Sequence, residues 1–327
     1  MGDAPGGGRR GAIDSVILPD TLDRTLRRIA EQSPQYAHKL EAQFAGMDAE
    51  FFDRAERFLA SLERFLIGKN RTLEYGVDCH LRLCESMKQE RLDFLRTGRY
   101  ANTSFAEVAR SVYANPEIME VHMYGLVFSQ FLWIDQYARL EFFCKVLPTC
   151  RDRTASYLEI GGGHGIYVAS AAQILHPSTL LALIDISPTS MELARAMSPE
   201  RVESHLCDVF DFPARRTYDL IVAGEVLEHL EEPRRLLSRI RELLVPSGRA
   251  FISTPVNAPA VDHIYLFNSV EEIRDMLRSE AFVIEYEATR HASDASEAQA
   301  RKLKIPQMYA ALVAVPTAAR GIEAPRA

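Results

Sequence analysis

Two groups of residues in this chain have types and spacings that suit chemistry. The first is Gly161-Gly162-Gly163-His164-Gly165, which follows the run Tyr157-Leu158-Glu159-Ile160 and precedes a helical pattern. Glycines in such a loop let the backbone approach a ligand closely and permit positive φ. The spacing is G-x-G-x-G, not the G-x-G-x-x-G of dinucleotide loops. The next apolar run, Leu183-Ile184-Asp185, ends in an acid twenty residues beyond Gly165. A carboxylate there can accept hydrogen bonds from both hydroxyls of a ribose. Loop and acid, each at a strand end, together point to a nucleotide-like ligand. The second group is Glu225-Val226-Leu227-Glu228-His229. Glu225, Glu228 and His229 stand at i, i+3 and i+4, one face if the stretch is helical. His263, in Pro259-Ala260-Val261-Asp262-His263, is placed to join them after a later strand. Three readings stay open. The segment shapes a pocket floor; or Glu225, Glu228, His229 and His263 bind a divalent cation that polarises a hydroxyl; or His229, His263 or Glu225 removes a proton without a metal.

The elements that must position these groups come in two grammars. From about Leu18 to Leu147 the pattern is helical. Ala37–Ile67 sets Leu40, Phe44, Met47, Phe51, Phe58, Leu62 and Leu66 at steps of three, four and seven, one helix face. A further helix is expected over Leu73–Leu95 and a short one over Phe105–Tyr113. Asn115-Pro116-Glu117 then opens a long one that carries Met119 through Phe142. Tyr113, Tyr124, Phe128, Phe131, Trp133 and Tyr137 form an aromatic stripe there, and such stripes are most often core. Tyr124, Phe128, Gln130, Trp133 and Tyr137 are nevertheless the candidates for substrate contact. After Pro148, seven short apolar runs alternate with helical patterns: Tyr157–Ile160, Leu180–Ile184, Ser204–Cys207, Leu220–Val222, Ala250–Ser253, Phe282–Tyr286 and Ala310–Val315. That alternation predicts a parallel sheet wrapped by helices. Only the polar segment His291–Lys304 separates the last two runs, so they are expected to pair antiparallel.

With these residues in place, the stretch from about Ser156 to Val315 resembles the class I S-adenosylmethionine-dependent methyltransferases. Glu159-Ile160-Gly161-Gly162-Gly163-His164-Gly165 is similar to that family's E-x-G-x-G-x-G loop, with His164 where a small residue is commoner. The resemblance implies an α/β, Rossmann-like seven-stranded methyltransferase domain preceded by an all-α cap domain. It implies that Glu159, Gly161, Gly163 and Gly165 hold the methionyl part of S-adenosylmethionine. Asp185 and Ile186 would hold the ribose, and Asp208 and Val209 the adenine. Similar Glu-x-x-Glu-His sets bind Mg²⁺ in ubiquinone-pathway O-methyltransferases and in small-RNA 2′-O-methyltransferases. The division expected is a flexible tail over 1–17, a helical cap or dimerisation domain over 18–150, the cofactor domain over 151–316 and a flexible tail over 317–327.

Composition bounds the rest. The chain has 327 residues, 47% hydrophobic and 25% charged, with formal net charge −7. This is globular composition and speaks against a disordered or fibrous chain. The acidic balance and the lack of a dense basic tract disfavour RNA, the chief alternative acceptor. A non-catalytic cofactor-binding scaffold is the other alternative. The five cysteines show no CxxC spacing and read as reduced thiols. With no signal core and no membrane span, a cytoplasmic protein is expected. The acceptor expected is a small specialised metabolite methylated at a hydroxyl, with a homodimer as a further expectation. His38, His80, His122 and His205 have no chemical constellation around them in the sequence.

Overall fold

A computed structural model describes residues 18–214 and 216–316. The two tails expected at 1–17 and 317–327 lie outside the described residues. The chain falls into two compact units, Met1–Asp78 and Cys79–Ala327.

The first unit holds α1 (Asp20–Gln32), α2 (Pro34–Phe44), α3 (Ala49–Gly68) and the start of α4 (Leu73–Thr97). α1 buries Leu22, Leu26 and Ile29, at helical spacing. Its first turn is capped from α3: the Glu56 carboxylate accepts from the Thr21 and Leu22 N–H groups and the Thr21 hydroxyl. This satisfies donors that no residue within α1 can reach. The single helix expected over Ala37–Ile67 is two. The chain breaks at Ala45–Asp48, and Asp48 caps α3 by accepting from Phe51 N–H at 2.9 Å. Phe44 and Phe51 are seven residues apart and both buried, so the apolar phase runs across the break.

The second unit contains the rest. α5 (Phe105–Val108) continues directly as one π-helical turn, Ala109–Tyr113. α6 (Pro116–Leu132) and α7 (Ile134–Val146) replace the one long helix expected, with Trp133 extended between them at φ −108° and ψ 125°. The sheet strands are β1 (Ser156–Ile160), β2 (Leu180–Asp185), β3 (Glu203–Leu206), β4 (Tyr218–Gly224), β5 (Leu244–Val256), β6 (Val283–His291) and β7 (Gln307–Ala314). Between them run α8 (Ile166–Ile174), α9 (Pro188–Met197), α10 (Pro233–Leu243), α11 (Val270–Ser279) and α12 (Glu297–Leu303). Strand order is β3-β2-β1-β4-β5-β7-β6. β1 to β5 pair in parallel, and β7 runs antiparallel between β5 and β6. This is the seven-stranded α/β architecture read from the sequence. The segment His291–Lys304, expected to lack a helix, holds α12, whose start is a Ser296/Gln299 capping box.

The order reverses between β1 and β4, and open α/β sheets hold their ligand crevice at the carboxyl ends of the strands there. Below it the core is built from Leu158, Ile160, Ile221, Ala223, Leu236, Leu237, Ile240 and Ile252, all nearly or fully buried. α7 packs against α8, β6 and β7, and α6 against α9. The boundary between the two compact units falls within α4, between Asp78 and Cys79. All five cysteines are free thiols. Among the described residues, no helix is long and apolar enough to cross a membrane.

Candidate functional site

The crevice begins at the glycine loop. Gly161, Gly163 and Gly165 have φ of 69°, 49° and 71°, values that side-chain-bearing residues hold only at a cost. Space is as restrictive as conformation at Gly165, where an added Cβ would lie 2.8 Å from the Ala194 carbonyl oxygen. Gly161 and Gly162 donate their N–H groups to the Ile184 carbonyl, which ties the loop to the end of β2. Asp185, the last residue of β2, is buried and braces the same loop. Its Oδ2 accepts from Gly163 N–H at 2.9 Å and its Oδ1 from Ser187 N–H at 2.8 Å. An ionised carboxylate offers about four acceptor sites, so about two remain for a ligand. Ile186 beside it is half-buried. At the end of β3, Asp208 accepts from Phe210 N–H at 2.9 Å and is also half-buried, with Val209 buried next to it. Glu159 lies lower, on β1. It is buried, accepts the Tyr157 hydroxyl proton at 2.8 Å, and burial pushes its pKa up to about 8. His164 is kept neutral: burial, with the nearby Arg139 charge, takes its pKa down to about 3.

At the ends of β4 and β5 a second group gathers. Leu227–His229 is a 3₁₀ turn, not the α-helical face expected, and Glu225 before it has φ 57°. The turn sends the acids apart. Glu225 meets Arg139 of α7, Nη1 to Oε2 at 2.5 Å. Glu228 points into the interior, where its Oε2 accepts the Thr254 hydroxyl at 2.8 Å and its Oε1 has no hydrogen-bond partner. Burial first, then the Glu225 charge, raises the Glu228 carboxyl to about 8. His229 Nδ1 lies 3.0 Å from the Asp262 carbonyl and 3.1 Å from the Tyr113 hydroxyl. A carbonyl only accepts, so Nδ1 carries the proton and Nε2 is free. His263 repeats the arrangement with Nδ1 at 2.5 Å from the Ala258 carbonyl. The two rings stand edge to face with centroids 4.9 Å apart. One ligand atom from each of Glu228, His229 and His263 lies within 4.8 Å of the others. Glu225 is absent from that trio, so the four-residue set expected from the sequence reduces to three.

Asp262 organises this group, although the sequence drew attention only to its neighbour His263. It is buried, and its Oδ2 lies 3.4 Å from the Tyr113 hydroxyl, 3.5 Å from His229 Nδ1 and 3.7 Å from His122 Nε2. Burial opposes its charge, but His229 and His122 outweigh that and hold its carboxyl at about 2. Burial also opposes charge on His229, where Asp262 and Glu228 prevail and its pKa is raised. On His263, burial and then the His229 charge outweigh Asp262 and take its pKa down to about 4. The π-helical turn brings Tyr113 here. Such turns shift the side-chain register and recur at functional sites.

Most of the aromatic stripe is core. Tyr124, Phe128, Gln130 and Tyr137 are buried. Phe128 and the half-buried Trp133 pack around His80, with ring centroids 6.2 and 5.7 Å away. Gln130 supports Arg139, accepting from Nη2 at 3.3 Å. Arg139 itself went unread in the sequence. Its signal is a cation on a helix that also carries Asp135, Glu141 and Lys145, and it gains meaning only beside a buried anion.

Residues 133–294 match the family described as a methyltransferase domain. The chain is similar to the mitochondrial ubiquinone biosynthesis O-methyltransferase of Schizosaccharomyces pombe, 31% identical over 136 residues, or 38% of this chain and 47% of that protein. It is also similar to a ubiquinone biosynthesis O-methyltransferase of Xanthomonas oryzae pv. oryzae, 30% identical over 111 residues, or 32% of this chain and 45% of that protein. The chain thus spans about half the length of the curated relatives it matches. Among solved structures, the N-methyltransferase NodS from Bradyrhizobium japonicum WM9, in complex with S-adenosyl-L-homocysteine, superposes with a TM-score of 0.47 at 16% identity. That superposition covers 66% of this chain and 100% of NodS, and is too distant to carry an argument about function.

Proposed function

We propose, from the methyltransferase domain that residues 133–294 form, that this chain transfers the methyl group of S-adenosylmethionine to a hydroxyl of a small molecule, a specialised metabolite. The observation that carries the reading is the crevice itself. A braced glycine loop and a strand-end acid with spare acceptor sites lie on the same sheet edge as two imidazoles with free Nε2 atoms. The cofactor supplies an electrophilic methyl on sulfonium, and the protein must align an oxygen with it and remove a proton. Asp185 takes the ribose hydroxyls and Asp208 the adenine amine. Arg139, buried and near enough to His164 of the glycine loop for its charge to act there, takes the cofactor's carboxylate. His229 removes the acceptor's proton at Nε2, while Asp262 and Tyr113 fix its tautomer and stabilise the imidazolium formed. The π-helical turn and α6 wall the acceptor's side. The curated relatives' O-methylation supports oxygen as the acceptor, and the acidic balance supports a small molecule over RNA.

Glu228, His229 and His263 favour a second reading. Glu228 Oε1 is a buried, unpaired acceptor, and both imidazoles are fixed through Nδ1 to carbonyls, as metal-bound imidazoles commonly are. The three would hold a divalent cation such as Mg²⁺, which when bound lowers a hydroxyl's pKa. Methyl-labelled S-adenosylmethionine, offered with phenols and aliphatic alcohols, tests the main reading. Label in an O-methyl product is expected. Label confined to nitrogen, or none on any hydroxyl, would contradict it. Running the productive reaction in excess EDTA separates the two readings, since full activity there removes the metal.

A further inference from the structure

Glu225 is a costly residue where it stands. It holds φ 57° directly after β4, with its N–H fixed to the Ser253 carbonyl at 3.0 Å. The left-handed region suits glycine or asparagine, and a glutamate there needs a compensating contact. Among the described residues its one ion-pair partner is Arg139. That pair is poorly made for a permanent bridge. Nη1 and Oε2 are close, but the contact is not aligned as a hydrogen bond. Arg139 Nε and Nη1 and Glu225 Oε1 are all buried without a hydrogen-bond partner. A structural arginine–carboxylate pair ordinarily uses the two-pronged fork.

Exposure differs across the pair. The Arg139 side chain is 3% exposed and that of Glu225 20%. An anion arriving from solvent therefore meets Glu225 first and reaches the guanidinium only where Glu225 gives way. Arg139 would stay in position meanwhile, because its Nη2 donates to the Gln130 and Gln136 side-chain oxygens. The pair adjoins the glycine loop: the Val226 side chain, next to Glu225, would lie 2.7 Å from a Cβ added at Gly161.

We infer that Glu225 is a built-in competitor for the cofactor's carboxylate: the two carboxylates take Arg139 in turn, and Glu225 swings aside as the methionyl group enters. This rests on the reading that the crevice takes S-adenosylmethionine. The exchange makes and breaks only ion pairs, and it sets affinity through the amino-acid end of the cofactor alone. Calorimetry with two ligands isolates that end. S-adenosylhomocysteine carries the carboxylate, whereas 5′-methylthioadenosine has the same nucleoside and thioether without it. E225Q should bind S-adenosylhomocysteine about tenfold more tightly than wild type and methylthioadenosine within about twofold of wild type. R139Q should weaken S-adenosylhomocysteine alone, and adding E225Q to R139Q should change nothing further. E225N, whose side chain is shorter and suits positive φ, should repeat the E225Q result if that variant folds poorly. Unchanged or weaker binding of S-adenosylhomocysteine by E225Q and E225N overturns the inference. Equal tightening of both ligands overturns it too, since a general loosening of the site would do that. Wild type binding neither ligand is a distinct outcome, which overturns the cofactor reading and the competition with it.

Discussion

Asp185→Asn isolates the nucleoside end of the crevice. The carboxylate now accepts from Gly163 and Ser187 N–H groups and keeps about two acceptor sites for ribose hydroxyls. Asparagine keeps one oxygen and turns the other into a donor. One loop N–H then faces an NH₂ group, and one ribose hydroxyl loses its acceptor. Hydrogen bonds to a charged group contribute about 1.5–3 kcal/mol and neutral ones about 0.5–1.5. Losing one charged bond and reducing the other to neutral gives about 2–4 kcal/mol, or roughly 30- to 1,000-fold in affinity. Fold stability should fall far less. The stranded N–H costs about 1–3 kcal/mol, but the buried charge, whose desolvation raises the Asp185 pKa, disappears. Titration calorimetry with S-adenosylhomocysteine, paired with thermal melts, reads both quantities. Affinity within twofold of wild type would refute the role given to Asp185. A loss of affinity that only tracks a large fall in melting temperature would assign Asp185 to folding and not to the ribose.

Three further outcomes are expected. His229→Ala should lower kcat about 10²- to 10⁴-fold while leaving S-adenosylhomocysteine affinity near wild type; undiminished turnover would remove it as the proton acceptor. Gly165→Ala forces a Cβ against the Ala194 backbone at φ 71°, and left-handed strain plus overpacking should cost about 2–5 kcal/mol, seen as a lower urea midpoint; an unchanged midpoint would contradict the loop geometry. His80 is fully buried, and burial takes its pKa from 6.5 to about 4. The unfolded chain therefore accepts a proton that the folded one refuses. Stability should be full above about pH 6.5 and fall by about 3 kcal/mol on the way to about pH 4 from this group. Urea midpoints across that range should slope less in His80→Gln than in wild type, and equal slopes would be the contrary result.

The sheet was legible because β1, β2, β4 and β7 are short, mostly buried runs and α9, α10 and α11 each have an apolar face. The glycine loop and Asp185 were legible because their chemistry follows from residue type at strand ends. Helix breaks were not. Phe44 and Phe51 hold one face across the turn at Ala45–Asp48, so the period carries no mark of it. α12 buries only Ala300, and a helix with almost no apolar face leaves no periodic signal. In the site, Glu225, Glu228 and His229 looked like one set because helical spacing was assumed. A 3₁₀ turn after a left-handed residue divides them between Arg139 and the imidazole group. Arg139 and Asp262 share a reason: a charge in a mixed helix or a loop reads as solvated until its partner, far away in sequence, is beside it. His122 gained its place through Asp262, and Tyr113 through His229 and Asp262 together.

On the reading proposed above, the carboxyl ends of β1, β2 and β4 bind S-adenosylmethionine. Calorimetric titration of the wild-type protein with S-adenosylhomocysteine tests it most directly. One site per chain with a dissociation constant in the micromolar range is the expected result, as is competition by S-adenosylmethionine but not by NAD. No heat of binding at millimolar ligand, or equal binding of NAD, would contradict an S-adenosylmethionine site at these strand ends.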